Sequence, residues 1–344
     1  MFDVAIVGAG PAGSSCAAFC AQAGLRTLLL EREVFPREKV CGDCLNPACW
    51  PILRRLELDE RVRLLPHGRL DRVEFIGLSG TTVRVALPSD EGREIAIKRS
   101  VFDNLLLDRA RELGAEVRDA TVVSAIHKMP GGDWKIDVVR DSIRAPILVA
   151  ADGRNSTVAR LLNLLPKPMR ERVALQSHIP LPENFGHRVV LQFLREGYSG
   201  QAPVNDHELN VCLVGRPDSI LKLKAWAEKH FAIPFTHPWR TITPLTRAAL
   251  SPRHGNLLLV GDAARVVEPF TGEGIYYAIA SGELAAQAIV ANNIQNYARA
   301  HAAMYRGRLW INQLARAAVL SPRIGSMFVG AAKIQPLILR LLTS

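Results

Sequence analysis

The sequence predicts an α/β fold opened by a Rossmann-type βαβ unit, and three observations predict it. An apolar run at residues 2–7 enters the glycine-rich turn Gly8-Ala9-Gly10-Pro11-Ala12-Gly13 and leaves it as a stretch of small apolar residues. A second apolar run, Arg26-Thr-Leu-Leu-Leu30, ends on the acid Glu31. Two distant apolar runs deliver further turns, Asp152-Gly153 and Gly261-Asp262, so the domain that these segments build has to be discontinuous.

Each element of the opening unit has a physical task. Residues 2–7 suit a short strand buried on both faces. Gly8 permits the tight turn from strand to helix, Gly10 lets backbone N–H groups approach a pyrophosphate, and Gly13 allows close helix–strand packing. Pro11 and Ala12 open a helix whose N-terminus turns its positive dipole end toward the phosphates. The small residues from Ser14 to Ala23 fit a helix lying close on a sheet, and Gly24 ends it. Glu31 stands about 18 residues after Gly13, where a carboxylate can accept hydrogen bonds from ribose hydroxyls. An acid at this place disfavours a 2′-phosphate, leaving FAD or NAD.

Two later segments favour FAD. Leu257–Val260 reads as a strand that delivers Gly261-Asp262, and the loop Pro269-Phe-Thr-Gly272-Glu-Gly274-Ile275 opens a long helix. Asp262 can hydrogen-bond a ribityl chain. Backbone N–H groups at Gly272, Gly274 and Ile275 can support negative charge on a reduced isoalloxazine ring. Ile147–Ala151 is again a strand running into a turn, Asp152-Gly153.

In these motifs the chain resembles the p-hydroxybenzoate hydroxylase superfamily of FAD-dependent oxidoreductases. Arg37-Glu-Lys39-Val-Cys41-Gly42-Asp43 and Pro269–Ile275 are most similar to its geranylgeranyl reductase-like branch, which lies near the flavin-dependent halogenases. Arg99-Ser-Val-Phe-Asp103 resembles a helix start in which an Arg contacts FAD. The resemblance covers about residues 1–295. It implies tightly bound FAD, a reduced nicotinamide, NAD(P)H, as transient electron donor, and cofactor contacts at Arg32, Lys39, Cys41, Gly42, Arg99 and Val123 besides the turn residues. Cys41 occupies a position that carries a functional Cys in some prenyl reductases. The pattern is incomplete in places. No Trp-x-Trp-x-Ile-Pro segment is present, which argues against a tryptophan-type halogenase. The branch's aromatic stretch keeps only Tyr198, in Gly197-Tyr-Ser-Gly200. No second glycine fingerprint follows a strand, so a nicotinamide would dock at the flavin itself.

Other chemistries find little support. Cys41 and Cys44 form a C-x-x-C pair without two further ligands, so no metal site is expected, while redox exchange stays open. The histidines are scattered and read as surface or satisfied residues, no G-x-S-x-G occurs, and Gly131-Gly132 reads as a hairpin turn. Six Cys in 344 residues argue for a reducing, cytoplasmic setting rather than a disulfide scaffold. Asp3 and the early Gly and Pro argue against a signal peptide, and no uncharged apolar stretch reaches the ~18 residues of a membrane span. The net charge of +10 is concentrated at the end: no acid follows Glu283, while Arg299, Arg306, Arg308, Arg316, Arg323, Lys333 and Arg340 do. Interleaved with Leu309, Ile311, Leu314, Val319 and Leu320, these suit either packed surface helices or contact with a membrane or acidic partner. Nucleic-acid binding is not expected, since no aromatic platform accompanies the charge.

The architecture expected is therefore a glutathione-reductase-like, Rossmann-type FAD-binding domain from residues 1–69, 99–170 and 251–295. An inserted, mostly antiparallel β-sheet substrate domain comprises 70–98 and 171–250, and a helical C-terminal segment comprises 296–344. Strands are expected at Asp71–Ile76, Thr82–Leu87, Glu94–Ile97, Val189–Phe193 and Glu208–Val214, and a helix near 218–230. The chemistry expected is reduction of a C=C bond in a small hydrophobic, isoprenoid- or polyketide-like substrate, with Cys41 or Tyr198 as proton donor. Aromatic monooxygenation with O₂ is the alternative, ahead of halogenation or electron transfer without an organic substrate.

Overall fold

A computed structural model describes residues 1–89, 92–166 and 172–332. The chain opens as strand β1 (Val4–Val7), helix α1 (Pro11–Gln22) and strand β2 (Thr27–Leu30). β1 and β2 are buried along their whole length, which is why they carry no polar alternation. They pair in parallel at the centre of a six-stranded sheet. β1 also pairs in parallel with Ile147–Ala150, which in turn pairs with Leu257–Leu259. Glu116–Arg118 closes one edge beside β2, and Arg253–His254 forms an antiparallel edge on the other side. The turns after Val7, Ala150 and Leu259 therefore leave the same end of the sheet, the end where open α/β sheets bind ligands.

Helix α1 lies against the long helix Gly274–Val290, and small residues make the crossing close. A Cβ on Gly282 would stand 2.4 Å from the Ala12 carbonyl oxygen. A hairpin of Val123–Lys128 and Trp134–Val138, continued by Asp141–Ala145, covers the other face of the sheet. Its turn carries Gly131-Gly132, with Gly132 N–H donating to Met129 O at 2.9 Å.

The second layer is a seven-stranded sheet in the order Arg240–Ile242, Val173–Pro180, Glu208–Gly215, Gly197–Pro203, Arg188–Leu194, Arg72–Ile76, Thr82–Ala86. It is antiparallel except where Arg188–Leu194 runs parallel to Arg72–Ile76. The expected strand at Glu94–Ile97 does not join it. Ile95–Ala96 instead pairs with Cys44–Leu45 and Gly68–Arg69 in a small separate sheet. That pairing ties the Arg37–Asp43 loop to the start of the helix Arg99–Glu112. Residues Ile220–His230 form the expected helix, covering the outer face of the seven-stranded sheet with Leu223 and Ala227.

The C-terminal segment is helical through Tyr297–Met304, Leu309–Leu320 and Pro322–Ala332. Ala315, Ala318, Val319 and Val329 bury against Phe193 and Val73 of the seven-stranded sheet. Leu309, Trp310, Leu314 and Met327 face outward. Lys333 and Arg340 lie outside the described residues. Among the described residues, no helix is long and apolar enough to cross a membrane.

Candidate active site

A cavity of about 210 Å³ lies between the turn end of the parallel sheet and the inner face of the seven-stranded sheet. The expected site residues Gly10, Pro11, Ala12, Lys39, Cys41, Gly42, Arg99, Gly153, Asp262, Pro269, Gly272, Gly274 and Ile275 all line it, and so does Tyr198. Val73, Val189, Leu191 and Val214 form the opposite wall.

At one end the cavity is built for an anion. Helix α1 begins here with Gly10 at its N-cap, no side-chain cap and no acid in its first turn, so its N–H groups are presented unblocked. Gly8, at φ 104°, makes the preceding turn, and a Cβ on Gly13 would stand 1.8 Å from its carbonyl oxygen. Gly10 faces open space toward Arg37, whose nearest nitrogen is 3.6 Å from where a Cβ would be. Arg37 ion-pairs through Nη1 with Asp103 Oδ2 at 3.3 Å. Arg99 is buried and bidentate on Asp103, both contacts at 2.7 Å. Lys39 reaches within 3.6 Å of a Cβ position on Gly153. Burial and the neighbouring Arg99 and Arg37 push the Lys39 ammonium down to about 8, against the attraction of Asp262 and Asp103. Three cations and a bare helix N-terminus converge where a dinucleotide pyrophosphate would neutralise them.

At the other end Gly272 sits at φ 71° in the loop before the helix Gly274–Val290. Gly274 and Ile275 at that helix start line the cavity. Asp262 receives Arg154 Nη2 at 3.1 Å. Phe270 carries Tyr198 edge-on at 5.1 Å. Burial holds the Tyr198 hydroxyl well above its ordinary value, with Glu268 adding to the effect.

Several expected cofactor residues lie away from the cavity wall. Glu31 is buried at the end of β2, accepting from Ala9 N at 2.7 Å and from Glu33 N at 2.9 Å, so its carboxylate shapes the turn. Arg32 points to solvent beside Glu33. Val123 is a core residue, brought near Glu31 because Thr121 N donates to Glu31 O at 2.7 Å. Asp152 accepts from Val158 N at 3.0 Å, which holds the start of the short helix Thr157–Leu161. Gly261 packs under the cavity, its Cβ position 3.0 Å from Ala12 Cβ.

Cys44 and Cys212 are not poised for exchange. Cys44 and Cys212 are thiols that burial holds well above their ordinary value, and a protonated thiol is a poor nucleophile. The Cys41 carbonyl accepts from Asn210 Nδ2 at 2.9 Å and from Cys212 Sγ at 3.0 Å, fixing the loop against the sheet. No cluster that could hold a metal ion occurs among the described residues.

Two groups escaped the sequence analysis. His178, one of the scattered histidines, has a side chain only 7% exposed and meets Asp43 Oδ2 at 2.7 Å. Asp43 is fully buried, adopts the left-handed conformation at φ 61° and lines the cavity. Burial raises its carboxyl, and the His178 hydrogen bond opposes that rise. Glu94 also lines the cavity, with 9% exposure.

Fold and site together define a flavin-dependent oxidoreductase. The chain belongs to the FAD binding domain family, whose match covers residues 1–179. This accords with the superfamily resemblance carried by its motifs. It is 29% identical over 334 residues to conditioned medium factor receptor 1 of Dictyostelium discoideum, covering 84% of this chain and 63% of that protein. It is 28% identical over 342 residues to a menaquinone reductase of Mycolicibacterium smegmatis, covering 87% and 78%. The flavin-dependent brominase Bmp2 shares the fold, with TM-score 0.81 at 21% identity over 99% of this chain and 93% of that one.

Proposed function

We propose that this protein is a reductase that uses FAD, reduced by NAD(P)H, to saturate a C=C bond in a hydrophobic isoprenoid- or polyketide-like substrate. The observation that carries the reading is the far wall of the cavity. Val73, Val189, Leu191, Val214 and Leu245 present aliphatic surface toward the flavin end, with Phe270 across from them. Such a wall binds a prenyl chain by removing apolar surface from water and offers little to orient a small polar aromatic. Similarity to a menaquinone reductase, whose name implies an isoprenoid quinone, supports the same substrate class.

FAD supplies hydride chemistry when bound. The protein's own contribution is to position and shield. Arg37, Lys39 and the α1 N-terminus hold the pyrophosphate, the Gly272–Ile275 backbone favours negative charge on the reduced ring, and the aliphatic wall excludes water. With no second glycine fingerprint, NAD(P)H docks at the same cavity before substrate. The outward Trp310, Leu314 and Met327 beside Arg323 support a peripheral lipid contact through which such a substrate would arrive.

The test is turnover under argon. FAD-loaded protein, NADPH or NADH and a short-chain prenylated naphthoquinone or polyprenyl diphosphate should yield, after any quinol has been reoxidised in air, product whose prenyl chain has gained two hydrogens, detected by mass spectrometry. A product formed only in air, carrying label from ¹⁸O₂, would replace the reductase by a monooxygenase.

A further inference from the structure

Glu94 is a buried carboxyl with nothing to hold it. It stands just before Ile95–Ala96, whose register is fixed by Cys44–Leu45 and Gly68–Arg69. The backbone behind it is pinned by Trp50 Nε1, which donates to Arg93 O at 2.8 Å. Its Oε1 lies 4.0 Å from the position of a Cβ on Gly272, against the loop that heads the helix Gly274–Val290. The side chain faces the cavity and, among the described residues, makes no hydrogen bond or ion pair. An isolated carboxyl aimed into an apolar cleft costs stability, so its presence asks for a reaction partner.

We propose that Glu94 is the catalytic acid of this site, giving a proton to the molecule reduced in the cleft. The proposal rests on the reductase reading above. Saturating a C=C bond consumes one hydride and one proton. The π bond breaks, one carbon gains hydride from the reduced cofactor, and the other gains the Glu94 proton. The carboxylate left behind takes a proton from solvent, so two electrons and two hydrogens are added in all.

The neighbouring groups are poorer donors. Burial alone raises the Glu94 carboxyl to about 7, where donor strength and protonated fraction are balanced for work at neutral pH. The titratable groups facing it are Cys44, on the paired strand, and Cys49, on the next turn. Burial raises both thiols, and Glu94 itself adds to the rise, so neither charges against it near neutrality. Tyr198 is too weak an acid. Asp43 is committed to His178 at 2.7 Å. Lys39 belongs to the cation cluster with Arg99 and Arg37.

The experiment compares FAD-loaded wild type, Glu94→Gln and Glu94→Asp. Carboxyl ¹³C NMR, with the Glu94 signal assigned by its loss in Glu94→Gln, should show titration near neutrality. Anaerobic reduction of a short-chain prenylated naphthoquinone should slow as pH rises through about 7. In Glu94→Gln it should be about 100-fold slower and lose that limb while FAD stays bound, and Glu94→Asp should recover part of the rate. A Glu94 signal titrating in the ordinary carboxylate range, or a Glu94→Gln rate within about twofold of wild type with its pH limb intact, overturns the assignment and leaves the reductase standing. Wild type that makes no reduced product under argon, with this probe or a polyprenyl diphosphate, overturns both.

Discussion

Burying Glu94 without a partner has a thermodynamic signature that needs no substrate. Its carboxyl is raised from 4.5 to about 7 in the folded protein. Below about pH 4.5 it is neutral in both states and costs nothing. As pH rises the unfolded chain ionises first, and the folded state falls behind until it too ionises above about pH 7. Stability is therefore present at low pH and lost through this window. The gap corresponds to roughly 3 kcal/mol at about 1.4 kcal/mol per pKa unit. Asp43 and Asp152 are also raised by burial, so wild type alone would blend several titrations. The measurement is urea unfolding of FAD-stripped wild type and Glu94→Gln at pH 5 and pH 8.5, taking the difference between the two proteins. Wild type should lose about 2.5 kcal/mol more than the variant over that interval, the rest of the gap lying below pH 5. A difference that stays flat with pH would show that Glu94 is solvated or paired, and the buried acid would go with it.

Three further outcomes follow from contacts elsewhere. Gly13→Ala places a Cβ 1.8 Å from the Gly8 carbonyl oxygen and 3.0 Å from Ala151 Cβ, both on rigid elements, so the variant should purify without flavin colour. Lys39→Met should weaken FAD binding and flatten its salt dependence. In wild type, affinity should begin to fall above about pH 8 as Lys39 loses its proton, a slope that fluorescence titration should find missing in the variant. Arg172 and Glu268 form a bidentate pair at 2.9 and 2.7 Å with almost no exposure. Glu268→Leu alone should destabilise by about 3–5 kcal/mol in chemical unfolding, and adding Arg172→Leu should recover most of the loss.

The cofactor half of the site was legible because its signals are local. A pyrophosphate needs a tight turn and a bare helix start, and both are written in consecutive residues from Gly8 to Gly13. Repeated turns at 152–153 and 261–262 revealed the discontinuous sheet for the same reason. Strand content was less legible where packing overrides preference. Gly197–Pro203 has poor strand propensity, yet it is held between Arg188–Leu194 and Glu208–Gly215 and is buried almost throughout. Ile95–Ala96 has the alternation of a large-sheet strand but is captured by Cys44–Leu45, a pairing that no local pattern announces.

The proton-handling residues were illegible for a deeper reason. His178 and Glu94 belong to no motif, and each acquires its character from a partner or neighbour far away in sequence. His178 is defined by Asp43, which reaches it from a left-handed turn in the Arg37–Asp43 loop. Glu94 is defined by what it lacks, as the Gly272 loop and the buried thiols of Cys44 and Cys49 leave its carboxyl unpaired. A cofactor's fixed shape imposes the same backbone turn wherever it is bound, so its signature is a spacing. A proton donor needs only a raised pKa beside the reacting carbon, and many folds of the chain can deliver that from many positions. In this protein the small sheet of Cys44–Leu45, Ile95–Ala96 and Gly68–Arg69 delivers it, by locking Glu94 and the Cys41–Asp43 loop to one wall of the cleft. Loosening that sheet should therefore disturb proton transfer and FAD binding together, since the same pairing seats the loop that carries Lys39 against the start of the helix at Arg99.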